Sequence, residues 1–79
     1  MTNDHDLADW GQRLRSVRKL LRLHQADLAR ACHVSQATIS RWERGVPPRP
    51  DALQRLLGAL RSHGVPTEHV DALEAGAKR

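Results

Sequence analysis

The stretch Gln25-Ala26-Asp27-Leu28-Ala29-Arg30-Ala31-Cys32-His33-Val34-Ser35-Gln36-Ala37-Thr38-Ile39-Ser40-Arg41-Trp42-Glu43-Arg44-Gly45 decides the fold. It holds two short patterns of helical period with only about three residues between them. In the first, Leu28, Ala29 and Cys32 stand at i, i+1 and i+4, on one face of a helix over residues 25–32. The small Ala29 lets another helix cross closely. In the second, Ser35 is a good N-cap and Gly45 a good stop, so residues 36–44 read as a helix. So short a link forces the two helices to meet at a steep angle.

On a helical wheel Gln36, Ala37, Ser40, Arg41 and Arg44 span roughly 140°, and Ile39, Trp42 and Glu43 occupy a separate arc of roughly 100°. One face is small, polar or cationic and the other is largely apolar. The first kind of face suits the DNA major groove, about 12 Å wide, which admits a helix whose outer side chains fit and hydrogen-bond. Gln can bond an adenine edge, Arg a guanine edge, and Ala37 or the Thr38 methyl can meet a thymine methyl.

Working outward, Trp10, Leu14, Val17 and Leu21 form a narrow apolar stripe, which predicts an amphipathic helix over residues 8–22 with Arg13, Arg15, Lys19 and Arg22 pointing elsewhere. Residues 46–50 contain three prolines and read as a stiff connector. Leu53, Leu56, Leu57 and Leu60 give a fourth helix stopped by Gly64. Pro66 and Thr67 start a fifth, with Val70 and Leu73 apolar, fraying by Gly76. The expectation is an all-α domain of five helices over residues 8–75, with a flexible tail at 1–7 and a frayed one at 76–79.

Composition agrees. The 79 residues suffice for one domain, with no room for a second, sensing or catalytic one. With no Phe or Tyr and only Trp10 and Trp42 as aromatics, the core must be aliphatic, drawn from eleven Leu and ten Ala. The net charge of +4 hides a partition: residues 10–61 carry eleven Arg or Lys against Asp27, Glu43 and Asp51, a net +8, flanked by segments of −3 and −1. The basic region is thus the one a polyanion would meet. Cys32 is the lone cysteine, so no internal disulfide forms, and no apolar run approaches the roughly 18 residues of a membrane span. A reduced, cytoplasmic, nucleoid-associated protein without membrane or signal segments is expected.

The stretch 25–45 resembles the helix-turn-helix of phage repressor and Cro-type regulators, the XRE family. The matching pattern is Q-x-x-L-A, a short turn, V-S-x-x-x-I-S, then E-x-G, and the resemblance covers about residues 12–61. It implies a lambda-repressor-like fold with the motif in helices 2 and 3. It implies that Gln25 touches a phosphate and braces Gln36, and that Gln36, Ala37, Thr38 and Arg41 read bases with Ser40 beside them. Ser35 is counted with these DNA-binding residues, and Arg44 and Arg49 fall where relatives contact the backbone. Arg18 and Glu43 match an internal ion pair tying the first helix to the third, and both lie at the margin of their helix's apolar stripe. Prolines on either side of Arg49 limit the entropy it can lose on binding.

The chain departs from the pattern in places. His33 stands where relatives have Gly in the turn, so a non-glycine residue must take a left-handed conformation there. His24 replaces the usual Ser, Thr or Asn cap of the second helix, and Ala37 replaces a longer side chain of some relatives. Specificity then leans on Gln36 and Arg41.

Five histidines and a cysteine do not make a metal site, since Cys32 and His33 are adjacent, Cys32 belongs to the core, and His63 and His69 lack a zinc-ligand interval paired with a second cluster. His5, His24, His63 and His69 read as surface residues. No nucleophile, base and orienting group can share a pocket. No cofactor, small-molecule ligand or enzymatic activity is expected. The partner expected is double-stranded DNA, bound by a homodimeric repressor of its own operon at a palindromic operator, because one motif reads few bases. Leu60, Val65, Val70 and Leu73 are candidates for the dimer surface, or else close the core. The alternatives are an antitoxin of the same fold with a toxin as partner, and a controller of a defence operon.

Overall fold

The apolar stripe of the first helix is what the rest of the chain assembles around. In the computed structural model, which describes residues 3–78 and the side chains of 9–78, five helices follow one another. They are α1 (Asn3–Leu20), α2 (Gln25–Cys32), α3 (Gln36–Glu43), α4 (Pro50–Ser62) and α5 (Thr67–Ala77), with no strand among the described residues. Trp10, Leu14 and Val17 of α1 are buried with Leu28, Ala29 and Cys32 of α2, Ile39 and Trp42 of α3, Leu53, Leu56, Leu57 and Leu60 of α4, and Val70 and Leu73 of α5. α1 packs on α3 and α5, α2 on α3 and α4, and α4 on α5. The motif α2–α3 is therefore clasped from behind by α1 and α4.

Helices α1 to α4 end alike. In each, an amide two or three residues beyond the helix donates back to a carbonyl five residues earlier: Leu23 to Arg18, Val34 to Ala29, Val46 to Arg41 and Val65 to Leu60. The residue preceding each donor has positive φ: Arg22 (59°), His33 (58°), Gly45 (107°) and Gly64 (82°). This is the Schellman ending, which satisfies carbonyls the helix leaves open and favours glycine. His33, with ψ 43°, adopts the left-handed conformation that its place in the turn demands. At α2's start the Asp27 carboxylate accepts the His24 amide at 2.9 Å, so the cap is closed from the third residue of the helix without a Ser or Thr. Arg55 of α4 donates to the Cys32 carbonyl at 2.9 Å and ties the end of α2 to α4.

Several boundaries differ from the sequence reading. α1 begins at Asn3, within the residues assigned to a tail, and ends at Leu20, because Arg22 turns the chain. α3 ends at Glu43, with Arg44 as its C-cap. Pro50 is the first residue of α4 and not the last of the connector: its fixed φ suits a helical start, where no amide is needed. α5 runs through Gly76, where a Cβ would lie 2.7 Å from Trp10 Cδ1; this glycine permits a close approach and does not end the helix. Trp10 Nε1 donates to the Leu73 carbonyl at 2.7 Å across the same contact.

Leu60, Val70 and Leu73 are fully buried within the protomer, and Val65 is partly buried against the same core. All four pack into the core, the second of the two readings, and Leu60, Val70 and Leu73 leave no surface for a partner to cover.

Candidate nucleic-acid interface

α3 is held by its apolar face and capped at its start. Ser35, in extended conformation, accepts the Thr38 amide through Oγ at 3.1 Å, and its hydroxyl lies 2.9 Å from Thr38 Oγ1. Ile39 and Trp42 are buried, whereas Gln36, Ala37, Arg41 and Arg44 are exposed and Thr38 and Ser40 half-buried. Gly11 of α1 sets how closely α3 is held: a Cβ there would lie 2.7 Å from the Glu43 carbonyl carbon and 2.8 Å from the Trp42 carbonyl oxygen. The backbone of α3 thus rests against that of α1.

A polar chain runs from this contact to the exposed face. Arg18 Nε donates to Glu43 Oε2 at 2.6 Å, its NH2 group to Oε1 at 3.1 Å, and its NH1 group to the Leu23 carbonyl at 2.9 Å. Gln25 Nε2 donates to the same Glu43 Oε1 at 3.1 Å. Gln36 Nε2 reaches Gln25 Oε1 at 3.5 Å, a long bond readily exchanged for a better partner. The buried ion pair therefore orients Gln25, and Gln25 in turn steadies Gln36. Arg41 has a similarly long contact, from its NH2 group to Thr38 Oγ1 at 3.5 Å.

On the other side of α3 the connector forms the wall of a groove of about 310 Å³, lined among others by Thr38, Arg41, Val46, Arg49 and Arg55. Arg49 is exposed and occupies the N-cap of α4, between Pro48, which is buried, and Pro50, which is exposed. Each of the DNA-binding residues expected from the sequence thus lies on α3 or at one of its caps, at the start of α2, or at the connector beside it. Two participants escaped sequence reading. Arg55, signalled only by its i+4 spacing from Asp51, buttresses the turn, and Gly11 is legible only as a glycine inside an amphipathic helix.

Cys32 is fully buried, and burial pushes its thiol up to about 11. His24, His33, His63 and His69 are exposed, while the side chain of His5 lies outside the described residues. Among the described residues no three His, Cys, Asp or Glu side chains gather as a metal site, and no helix is long and apolar enough to cross a membrane.

A helix clasped from behind, with a polar outward face and cationic grooves beside it, defines a helix-turn-helix domain. A family model described as helix-turn-helix, of XRE type, matches residues 14–65, and the chain belongs to that family. It is a DNA-binding, helix-turn-helix regulator by that membership. Comparison with curated proteins and with solved structures returned no match.

Proposed function

We propose that the protein is a repressor of its own operon that binds a palindromic operator as a homodimer, with α3 in the major groove. The observation carrying this reading is the division of α3: Ile39 and Trp42 anchor it while Gln36, Ala37 and Arg41 stand exposed. Gln36 then reads adenine, Arg41 guanine, and Ala37 and the Thr38 methyl a thymine methyl. Ser35 and Ser40 flank this set, and Gln25, Arg44 and Arg49 fix the register on phosphates. Two copies spaced about one DNA turn apart supply the affinity that one motif lacks.

The test is selection of binding sites from random duplexes, followed by light scattering of protein with the selected DNA. A palindromic consensus and two protomers per duplex are expected; an asymmetric site bound by one protomer would refute the dimer.

An antitoxin with this fold, or a controller of a defence operon, is the second reading. Leu20, 76% exposed, is an apolar group away from α3 that a protein partner would cover. A toxin encoded beside the gene and neutralised by the purified chain would favour it over autoregulation alone.

A further inference from the structure

α3 has a second flank, opposite the groove at the connector. There a concavity of about 410 Å³ is lined by Arg15, Arg18, Gln25, Ser40, Glu43 and Arg44. Its charges are not equivalent. Arg18 spends its guanidinium on Glu43 and the Leu23 carbonyl, and both Glu43 oxygens are already accepting. That pair cancels internally. Arg15 and Arg44 are exposed, and neither has an ion-pair partner among the described residues. The concavity therefore presents two uncompensated guanidinium groups, one from α1 and one from the end of α3, and Gln25 and Ser40 line it as well.

The two flanks of α3 match what a helix in the major groove meets. The groove is about 12 Å wide and bordered on both sides by phosphates. Arg41, Arg49 and Arg55 line one flank; Arg15 and Arg44 line the other. We propose that Arg15, on a helix outside the helix-turn-helix, seats one backbone phosphodiester of the duplex together with Arg44. This rests on the reading of α3 as the groove-bound helix, and it extends the DNA footprint to α1. Guanidinium groups suit the task because their donors match phosphate oxygens in bidentate fashion. The seat carries no base information, so it contributes to affinity and register alone.

Arg13 provides a matched control. It lies on α1, is also exposed, and lines a different concavity with Gln12, Ser16, Leu20 and His69. Arg13→Ala and Arg15→Ala thus remove the same charge from the same helix on different faces. The experiment measures affinity for a duplex selected from a random pool, as a function of salt, for the full chain and for Arg13→Ala, Arg15→Ala, Arg15→Lys and Arg44→Ala. Arg15→Ala is expected to reduce the slope of log affinity against log salt by about 1, as Arg44→Ala does, and to weaken all sequences alike. Arg15→Lys is expected to keep most of the slope and Arg13→Ala all of it. Equal slopes for Arg13→Ala and Arg15→Ala would overturn the phosphate seat while leaving the groove-bound helix intact. Failure of the unaltered chain to bind any duplex would overturn both.

Discussion

Arg18 of α1 and Glu43 of α3 are joined by two hydrogen bonds, of 2.6 and 3.1 Å, and their side chains are only 10% and 6% exposed. Buried pairs of this kind contribute little net stability, because both charges lose water, but removing one partner strands the other. Glu43→Ala is accordingly expected to cost about 3–5 kcal/mol in chemical unfolding, and the double replacement Arg18→Met with Glu43→Leu to recover most of it. A single replacement without effect would mean that the pair is solvated in solution.

Two glycines in helices make opposite predictions. Gly11 rests on the backbone of Trp42 and Glu43, which cannot yield as a side chain does, whereas nothing lies within 4 Å of a Cβ at Gly58. Gly11→Ala is expected to destabilise by about 1–3 kcal/mol or more, as overpacking does. Gly58→Ala is expected to stabilise by about 0.4–1 kcal/mol through the unfolded chain. Thermal unfolding of the two variants side by side checks both signs.

His33 holds a φ of 58° that glycine adopts without a steric penalty. The left-handed conformation costs an ordinary residue roughly 1–2 kcal/mol, and glycine's greater freedom when unfolded returns part of that. His33→Gly should raise the midpoint of denaturation, and His33→Val, β-branched at the same angle, should lower it.

Burial that lifts the Cys32 thiol to about 11 keeps it protonated and out of reach of reagents at neutral pH. A free cysteine ordinarily titrates near 9.0, so the folded state binds this proton more tightly than the unfolded one. The sign follows: the contribution to stability is present below about pH 9 and is lost as pH rises through the folded value. Thiol labelling at neutral pH should proceed only at the rate of unfolding, and Cys32→Ala should remove this alkaline dependence at the expense of core packing.

The motif was legible because local and tertiary signals coincide in it. Ser35, Gly45 and the spacing of Leu28, Ala29, Cys32, Ile39 and Trp42 each mark the elements that the structure contains. Where the two kinds of signal part, the sequence misleads. Residues 1–7 have little apolar pattern, yet α1 begins at Asn3; acidic residues near a helix start are favourable, a weaker signal than burial. Gly76 looks like a stop because glycine usually is one, and only the position of Trp10 shows otherwise. Leu60, Val70 and Leu73 could have faced a partner or the core, and the packing of α4 and α5 decides that. Arg15 and Arg13 are indistinguishable as letters and differ by the concavity that each one lines.

The most direct test of the central claim, that the exposed face of α3 reads a duplex, is the base preference of Arg41→Ala. Affinity should be measured for the selected duplex and for the duplexes that replace each base pair in turn. The replacement is expected to lose about 1–3 kcal/mol on the selected duplex and to relax preference at one base pair, whereas Arg49→Ala weakens all sequences alike. Unchanged affinity and unchanged preference in Arg41→Ala would contradict the assignment of α3 as the reading helix.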